Sequence, residues 1–91
     1  MISKGERKGT IRFETKPSAQ AKEVLLAGTF TGWKPTPMRR TKDGVFITVV
    51  PLPKGEHQYK FVVDGEWVTD RDNTRWIPNP YGSFNSVVKV D

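Results

Sequence analysis

Apolar and polar side chains alternate most clearly between Glu56 and Trp67, in the stretch EHQYKFVVDGEW. At its centre, Asp64 and Gly65 predict a β-hairpin, because a type I′ turn requires positive φ at both central residues. A two-residue turn also fixes the register of the flanking strands. The cross-strand pairs that follow are Val63 with Glu66, Val62 with Trp67 and Lys60 with Thr69.

The two faces of this hairpin differ in character, because successive side chains of a strand point to opposite sides of a sheet. The face that we assign to the core carries Tyr59, Phe61 and Val63. On the other face Trp67 lies beside Lys60, since cross-strand partners share a face. An outward tryptophan next to a long hydrogen-bond donor predicts a platform on which a flat ligand stacks.

Several other short stretches alternate in the same way and are bounded by turn residues. The predicted strands are Thr10–Thr15, Val24–Phe30, Arg39–Thr41, Val45–Leu52 and Phe84–Val90. With the two strands of the hairpin they make about seven, which predicts an all-β fold, an antiparallel β-sandwich. We expect residues 1–9 to be a flexible, polar N-terminal segment and residues 10–91 to form the domain.

Two connections between these strands carry exposed aromatic residues. The segment from Thr31 to Met38 contains a glycine and two prolines, which disfavour a strand interior, so Trp33 is predicted on a loop. The longer connection from Thr69 to Ser83 holds Trp76 and Tyr81. A loop of this length in a compact domain is usually functional or disordered, and disordered segments have few aromatics. We therefore expect an ordered, functional loop.

Composition narrows the class of protein. The 91 residues fit a single domain, and no apolar run approaches the length of a membrane helix, about 20 residues. The first residues begin no apolar signal sequence. Cysteine is absent, which excludes disulfides and cysteine-based zinc sites and is compatible with the cytoplasmic location that we expect. The formal net charge is +5, but the basic residues are dispersed and we interpret them as solvated ends and turns.

Few of the side chains that enzymes use are present. The one histidine, His57, begins a strand beside a turn, and without a second histidine or a cysteine it is a poor metal ligand. Neither a nucleophile elbow nor a phosphate-binding loop occurs. Glycoside hydrolysis needs paired carboxylates in a cleft, whereas we expect solvent around Asp64, Glu66, Asp70 and Asp72. We therefore predict that the protein is not an enzyme and uses no cofactor or metal ion.

The aromatic residues fall into two groups. Those assigned to the core are Phe13, Phe30, Phe46, Tyr59, Phe61 and Phe84. Those left over, which we expect to form one contiguous exposed patch, are Trp33, Trp67, Trp76 and Tyr81. An indole ring offers a flat, rigid face that matches the axial C–H groups of a pyranose. The side chains available to bond sugar hydroxyls are Lys60, Thr69, Ser83 and Asn85. An alternative role for Trp33 and Trp76 is to plug the ends of the sandwich.

Three stretches of the chain resemble a known family: VLLAGTFTGW, PLPKGEHQYKFVVDGEW and IPNPYGSFNSVVKV. They are similar to the glycogen-binding domain of carbohydrate-binding module family 48. That family includes the module of the AMP-activated kinase β-subunit and the N-terminal early-set domain of isoamylases. The resemblance runs from Val24 to Val90, and its most specific pieces are G-x-F-x-x-W and Y-K-F-x-V-D-G-x-W. The start of the chain and the piece PNPYG also resemble short free-standing bacterial proteins of the early-set type.

This resemblance implies an immunoglobulin-like, early-set sandwich that binds α-1,4-glucan. In the family two tryptophans stack on glucose, while a lysine and an asparagine bond its hydroxyls; the matching residues here are Trp33, Trp67, Lys60 and Asn85. Two positions depart from the pattern, because Tyr81 replaces a leucine that passes through the glucan coil and Ser83 replaces a threonine. Trp76 has no counterpart in the family's site. The predicted carbohydrate-binding residues are therefore Trp33, Lys60, Trp67, Tyr81, Ser83 and Asn85.

The predicted partner is an α-glucan polysaccharide or oligosaccharide, such as glycogen, starch or a maltodextrin. We expect a monomer that binds neither nucleic acid nor membranes. The alternative is a protein-interaction module of the same fold that docks to a glycogen-metabolising enzyme or a kinase through its exposed aromatics. Outward aromatics with basic residues also suit single-stranded nucleic acid, whose binding, unlike that of neutral glucan, falls steeply with salt.

Overall fold

The computed structural model describes residues 2–18 and 20–91. In this part of the chain ten short strands form two sheets, and no helix is long and apolar enough to cross a membrane. The strands are β1 Ile2–Lys4, β2 Thr10–Thr15, β3 Val24–Gly28, β4 Thr36–Pro37, β5 Arg39–Arg40, β6 Phe46–Pro51, β7 Gly55–Val63, β8 Glu66–Val68, β9 Trp76–Pro78 and β10 Phe84–Val90. A single 3-10 turn, Thr29–Thr31, follows β3.

The strands pair antiparallel throughout and form a sandwich, as predicted. The smaller sheet has the order β1-β2-β6-β5, and the larger has the order β4-β3-β7-β10-β9, with β8 paired to β7. Between them lies a core built from the apolar positions of the alternating strands: Ile11, Phe13, Val24, Leu26, Met38, Phe46, Leu52, Tyr59, Phe61 and Val88. Burial of each large apolar side chain contributes about 1.5–3 kcal/mol. The core therefore holds the larger sheet as a firm base for its outer face.

The central hairpin has the predicted turn and register. Asp64 and Gly65 have φ of 48° and 88°, and the ladder pairs Val63 with Glu66 and Val62 with Trp67. The strand β8 ends at Val68, so the predicted pairing of Lys60 with Thr69 falls just beyond the ladder. Asp64 is exposed in this turn, as expected, and its carboxylate also accepts hydrogen bonds from the backbone nitrogens of Lys22 and Glu23, at 3.0 and 2.9 Å.

Three strands were not predicted, because each is too short to show alternation: β1, β4 and β9. Pro37 and Pro78 lie in β4 and β9, at the edges of the larger sheet, where a strand tolerates proline. The strand β1 falls inside the predicted N-terminal segment, whose first residue, Met1, lies outside the described residues. It pairs with β2, and Ile2 packs against the core. The flexibility of residues 1–9 stays a prediction.

A buried polar network lies beneath the loop that follows β8. Asp70, expected to be solvated, is only 3% exposed and accepts a hydrogen bond from the Tyr59 hydroxyl at 2.7 Å. The Tyr59 oxygen in turn accepts one from Asn73 Nδ2 at 3.0 Å, and the Asp70 backbone nitrogen donates to Ser86 Oγ at 3.1 Å. Burial raises the pKa of Tyr59 far above its ordinary value. Because buried polar groups need partners, this network holds the loop in one conformation.

Candidate functional site

The outer face of the larger sheet carries a concavity of about 800 Å³. All the predicted carbohydrate-binding residues line it: Trp33, Lys60, Trp67, Tyr81, Ser83 and Asn85. They come from three separated parts of the chain, namely the loop after the 3-10 turn, the hairpin, and the loop that leads into β10 together with the start of β10. A further four residues complete the lining: Thr29, Gln58, Asn79 and Pro80. A volume of this size is within the range for small-molecule sites.

Trp33 reaches the concavity through an unusual backbone conformation. After the 3-10 turn, Gly32 and Trp33 both adopt positive φ, 64° and 62°, and the Trp33 nitrogen donates to the Gly28 oxygen at 2.9 Å. Positive φ is uncommon for a bulky residue and costs on the order of 1–3 kcal/mol. Gly28 is required by space alone, since a Cβ there would lie 2.5 Å from the Gln58 oxygen. The GTFTGW sequence therefore folds into a tight turn that ends with an indole at the site.

Lys60 lines the concavity and is almost completely buried. Only 6% of it is exposed, and its ammonium nitrogen donates to Ser83 Oγ at 2.8 Å. Burial lowers the pKa of Lys60 below its ordinary value. An ammonium has three N–H donors, and Ser83 keeps a hydroxyl proton of its own. The pair thus brings several hydrogen-bond donors to the floor of an aromatic-lined site.

A chain of side-chain amides organises the loop that carries Tyr81. Asn79 Oδ1 accepts hydrogen bonds from the backbone nitrogens of Tyr81 and Ser83, at 2.9 and 3.1 Å. Asn79 Nδ2 donates to Asn85 Oδ1 at 3.0 Å, and Asn85 Nδ2 donates to Gln58 Oε1 at 3.0 Å. The amide groups therefore orient one another across two strands and the loop.

Sequence reasoning missed both ends of this amide chain. One end is Asn79, and the turn signal Asn79-Pro80 could have identified it as a site residue. Asparagine side chains in turns bond backbone groups two residues further along the chain. The other end is Gln58, which alternation places on the same outer face of β7 as Lys60. That shared face could have identified Gln58 as a site residue.

The three aromatic rings of the concavity differ in exposure. Tyr81 is 91% exposed and Trp67 is 49% exposed, whereas Trp33 is half-buried. Trp67 stands opposite Val62 in the hairpin ladder, which puts its ring on the outer face of the sheet. Tyr81 is held by its backbone nitrogen, so its side chain projects freely. The rings offer flat apolar faces around a polar floor, an arrangement that binds ligands with both kinds of surface.

Trp76 does not join this patch, and its predicted place on a loop is wrong. It lies in β9 opposite Ser86, whereas Ile77 lies opposite Asn85. Side chains of paired residues share a face, so Trp76 points to the side of the sheet away from the concavity. The prediction failed because β9 has only three residues and contains a proline.

Two other predictions about this region are also wrong. Phe84, predicted in the core, is 45% exposed, because β10 begins there, before its first pairing with β7 at Ser86 and Tyr59. Its ring packs against Trp76 instead, with centroids 5.9 Å apart. Thr69, expected at the rim, does not line the concavity, and its hydroxyl donates to the Phe84 oxygen at 2.8 Å.

Residues 11–91 match the family described as the glycogen recognition site of AMP-activated protein kinase. Among similar curated proteins, subunit beta-1 of that kinase from Sus scrofa is 39% identical over 69 residues, which cover 76% of this chain and 55% of that protein. The Homo sapiens beta-1 subunit is also 39% identical, with 25% of its length covered. The Mus musculus beta-2 subunit is 36% identical over 73 residues, covering 80% of this chain and 27% of that protein.

A similar fold occurs in the crystal structure of a maltogenic amylase from S. marinus. The TM-score is 0.76 and the sequence identity 25%, over 90% of this chain and 13% of the amylase chain. Among the kinase subunits, the chain spans about half the length of the Sus scrofa protein and about a quarter of the Homo sapiens protein. These matches confirm the predicted resemblance and the immunoglobulin-like, early-set sandwich.

Proposed function

Because this chain belongs to the family of the glycogen recognition site of AMP-activated protein kinase, we propose that its concavity binds α-1,4-glucan without cleaving it. The observation that carries the proposal is the meeting of three aromatic rings around a polar floor on one sheet face. The rings belong to Trp33, Trp67 and Tyr81, and the floor to Lys60, Ser83 and Asn85. The ligand is a segment of glycogen, starch or a maltodextrin.

Stacking on the rings supplies the apolar part of the binding. One side of a pyranose ring presents C–H groups, and these pack against the flat face of an indole or a phenol. Trp67 and Trp33 are the main platforms, and Tyr81 stacks from the loop. Each stacked ring contributes about 1–3 kcal/mol on the scale measured for bases on aromatic side chains. Because these side chains have few rotatable bonds, little conformational entropy is lost on binding.

Hydrogen bonds from the floor select the sugar and its orientation. Lys60 directs its ammonium toward Ser83, and the remaining N–H groups donate to glucan hydroxyls. The amide of Asn85 is already oriented by Asn79 and Gln58, so it enters the complex without further ordering. We expect affinity for a short oligosaccharide of roughly micromolar to millimolar, since many hydroxyls must lose water.

Two experiments test this function. Titration with maltoheptaose, followed by tryptophan fluorescence, should saturate, whereas a β-1,4-linked glucan of similar length should leave the signal unchanged. Incubation of pure protein with maltooligosaccharides should leave their length distribution unchanged. Shortening of the oligosaccharides by pure protein would contradict the non-catalytic part of the proposal.

The second candidate function is docking to an enzyme. It is favoured by the relatives themselves, because they are kinase subunits and an amylase in which the matched region is only part of the chain. In that case the domain does not bind sugar, and its exposed aromatic side chains anchor a glycogen-metabolising enzyme or a kinase instead. We further propose that it works in the cytoplasm as a monomer, without nucleic-acid or membrane partners. Analytical sedimentation of the pure protein tests whether it is monomeric in solution.

A further inference from the structure

The chain of side-chain amides along the concavity has a fixed direction. Asn79 Oδ1 accepts hydrogen bonds from the backbone nitrogens of Tyr81 and Ser83. A backbone N–H group can only donate, so the Asn79 atom that faces the two nitrogens must be the amide oxygen. The NH2 group of Asn79 therefore donates to Asn85 Oδ1, and the NH2 group of Asn85 donates to Gln58 Oε1. Each amide in the series is thus oriented by the one before it.

The amide chain ends on an unused NH2 group. Because Gln58 Oε1 is bonded to Asn85, the last atom of the series is Gln58 Nε2. Among the residues that the structure describes, Nε2 has no hydrogen-bond partner, and no buried side-chain nitrogen or oxygen lacks one. Gln58 Nε2 is therefore in contact with solvent and keeps two N–H donors available.

Gln58 presents these donors next to Lys60. Both residues line the concavity, and alternation places them on the same outer face of β7, two residues apart. A strand advances by about 3.3 Å per residue, so their Cα atoms lie about 7 Å apart. The Lys60 ammonium, like Gln58 Nε2, only donates. This part of the concavity therefore requires oxygen acceptors from its ligand.

Asn85 keeps less of its amide available than Gln58 does. Asn85 is only 7% exposed, and both ends of its amide are engaged, with Asn79 on one side and Gln58 on the other. Gln58 is half-buried, and its nitrogen carries no such bond. Of these two amides, Gln58 has the larger unused donor capacity toward a ligand.

We propose that Gln58 is a further glucan-binding residue, whose Nε2 donates to a hydroxyl or ring oxygen of the sugar. The inference rests on the proposed function, because the ligand and the concavity are the same. It adds a residue that is not among those assigned by the family resemblance. The amide chain fixes which end of the Gln58 amide meets the ligand, so little rearrangement is needed on binding.

The first test compares two variants of Gln58 with wild type. Gln58→Met removes the whole amide, whereas Gln58→Glu keeps an oxygen for Asn85 and removes only the Nε2 donors. Both should weaken maltoheptaose binding by about three- to tenfold, the effect of one hydrogen bond. If Gln58 served only to orient Asn85, Gln58→Glu would bind as wild type does. Wild-type affinity in either variant overturns the inference.

The matched control is Gln20→Met, the same substitution at the only other glutamine of the sequence. Gln20 is exposed and does not line the concavity, so its variant should bind maltoheptaose as wild type does. Thermal denaturation checks that all three variants are folded. A loss of affinity in Gln20→Met equal to that in Gln58→Met would contradict a specific role of Gln58.

The second test uses wild-type protein and so does not depend on how any variant folds. The side-chain NH2 signals of Gln58 are followed by NMR as maltoheptaose is added, and are assigned by their absence from the spectrum of Gln58→Met. They should shift and saturate together with the Trp67 indole signal, while the Gln20 side-chain signals stay in place. Saturable shifts of Trp67 without any shift of the Gln58 NH2 group would overturn the inference and leave the proposed function standing. If neither signal shifts, the proposed function fails and the inference fails with it.

Discussion

The ammonium nitrogen of Lys60 lies 2.8 Å from Ser83 Oγ and donates a hydrogen bond to it. This contact joins the middle of β7 to the loop that leads into β10, so the floor of the concavity and its aromatic rim are fixed relative to each other. The lysine is almost completely buried although its partner is neutral. A buried ammonium without a carboxylate loses hydration, which neutral sugar hydroxyls can partly replace.

Lys60→Met keeps the length of the side chain and removes its donors. We expect glucan affinity to fall by about 1.5–3 kcal/mol, the range for a hydrogen bond to a charged group. The loss should be the same at low and high salt, because glucan carries no charge to screen. The measurement is affinity for maltoheptaose and for a single-stranded oligonucleotide at two ionic strengths. Salt-sensitive oligonucleotide binding without glucan binding would point to a nucleic-acid site instead.

Trp67→Ala should separate binding from folding. The ring is half exposed on the outer face of the sheet. Its loss should weaken the free energy of glucan binding by about 1–3 kcal/mol and hardly change the free energy of unfolding. The matched control is Phe61→Ala on the inner face of the same hairpin, which should destabilise the fold by about 3–5 kcal/mol. Urea denaturation and glucan titration of both variants check this. If Trp67→Ala unfolds the domain yet binds normally when folded, the assignment of faces fails.

Asn79 should control the order of the Tyr81 loop. Asn79→Ala removes the acceptor for the backbone nitrogens of Tyr81 and Ser83, and we expect it to weaken glucan binding by about 1 kcal/mol. Asn79→Asp keeps that acceptor and loses only the donor to Asn85, so it should retain more affinity. Calorimetric titration of the two variants gives the comparison. Equal affinity of Asn79→Ala and wild type would show that the loop needs no such anchor.

The buried tyrosine predicts how stability depends on alkaline pH. Burial, assisted by Asp70, raises the pKa of Tyr59, so above pH about 10 the unfolded chain releases a proton that the folded protein keeps. This stabilisation is fully present below that pH and is lost above it, by about 1.4 kcal/mol per pH unit. The lowered pKa of Lys60 acts in the opposite sense over the alkaline range, since the folded protein there holds fewer protons.

Tyr59→Phe isolates the tyrosine contribution because it leaves Lys60 in place. The variant should be less stable at neutral pH by about 1–3 kcal/mol, since Asp70 and Asn73 lose a partner. Its stability should then fall less steeply than that of wild type above pH about 10. Urea denaturation across this range measures both slopes. Parallel slopes for the two proteins would mean that Tyr59 ionises in the folded state as readily as in the unfolded chain.

The hairpin was predictable from sequence because Asp64 and Gly65 fix the turn, and the turn fixes the register. Once the register is known, the period-two alternation places Trp67 and Lys60 together on one face without further information. The same reasoning gave the inner face, where Tyr59 and Phe61 are buried. Local geometry of this kind depends on a few residues close in sequence, which is why it can be read directly.

The unpredictable parts depend on long-range contacts. The edge strand that holds Trp76 exists because of its pairing with β10, and no pattern within its own residues indicates it. Asp70 carries no sequence signal of burial, since its partners Tyr59 and Ser86 lie in other strands. The exposure of Phe84 follows from where β7 and β10 stop pairing, which alternation along β10 alone does not reveal.

A residue-resolved titration shows whether the outer face of the larger sheet binds α-1,4-glucan. Maltoheptaose is added to labelled protein and the NMR shifts of backbone and indole N–H groups are followed, with a β-1,4-linked glucan of similar length as control. We expect saturable shifts that include Trp33, Lys60, Trp67, Tyr81, Ser83 and Asn85, and none with the control. Absence of saturable shifts, or shifts confined to residues outside the concavity, would contradict this expectation.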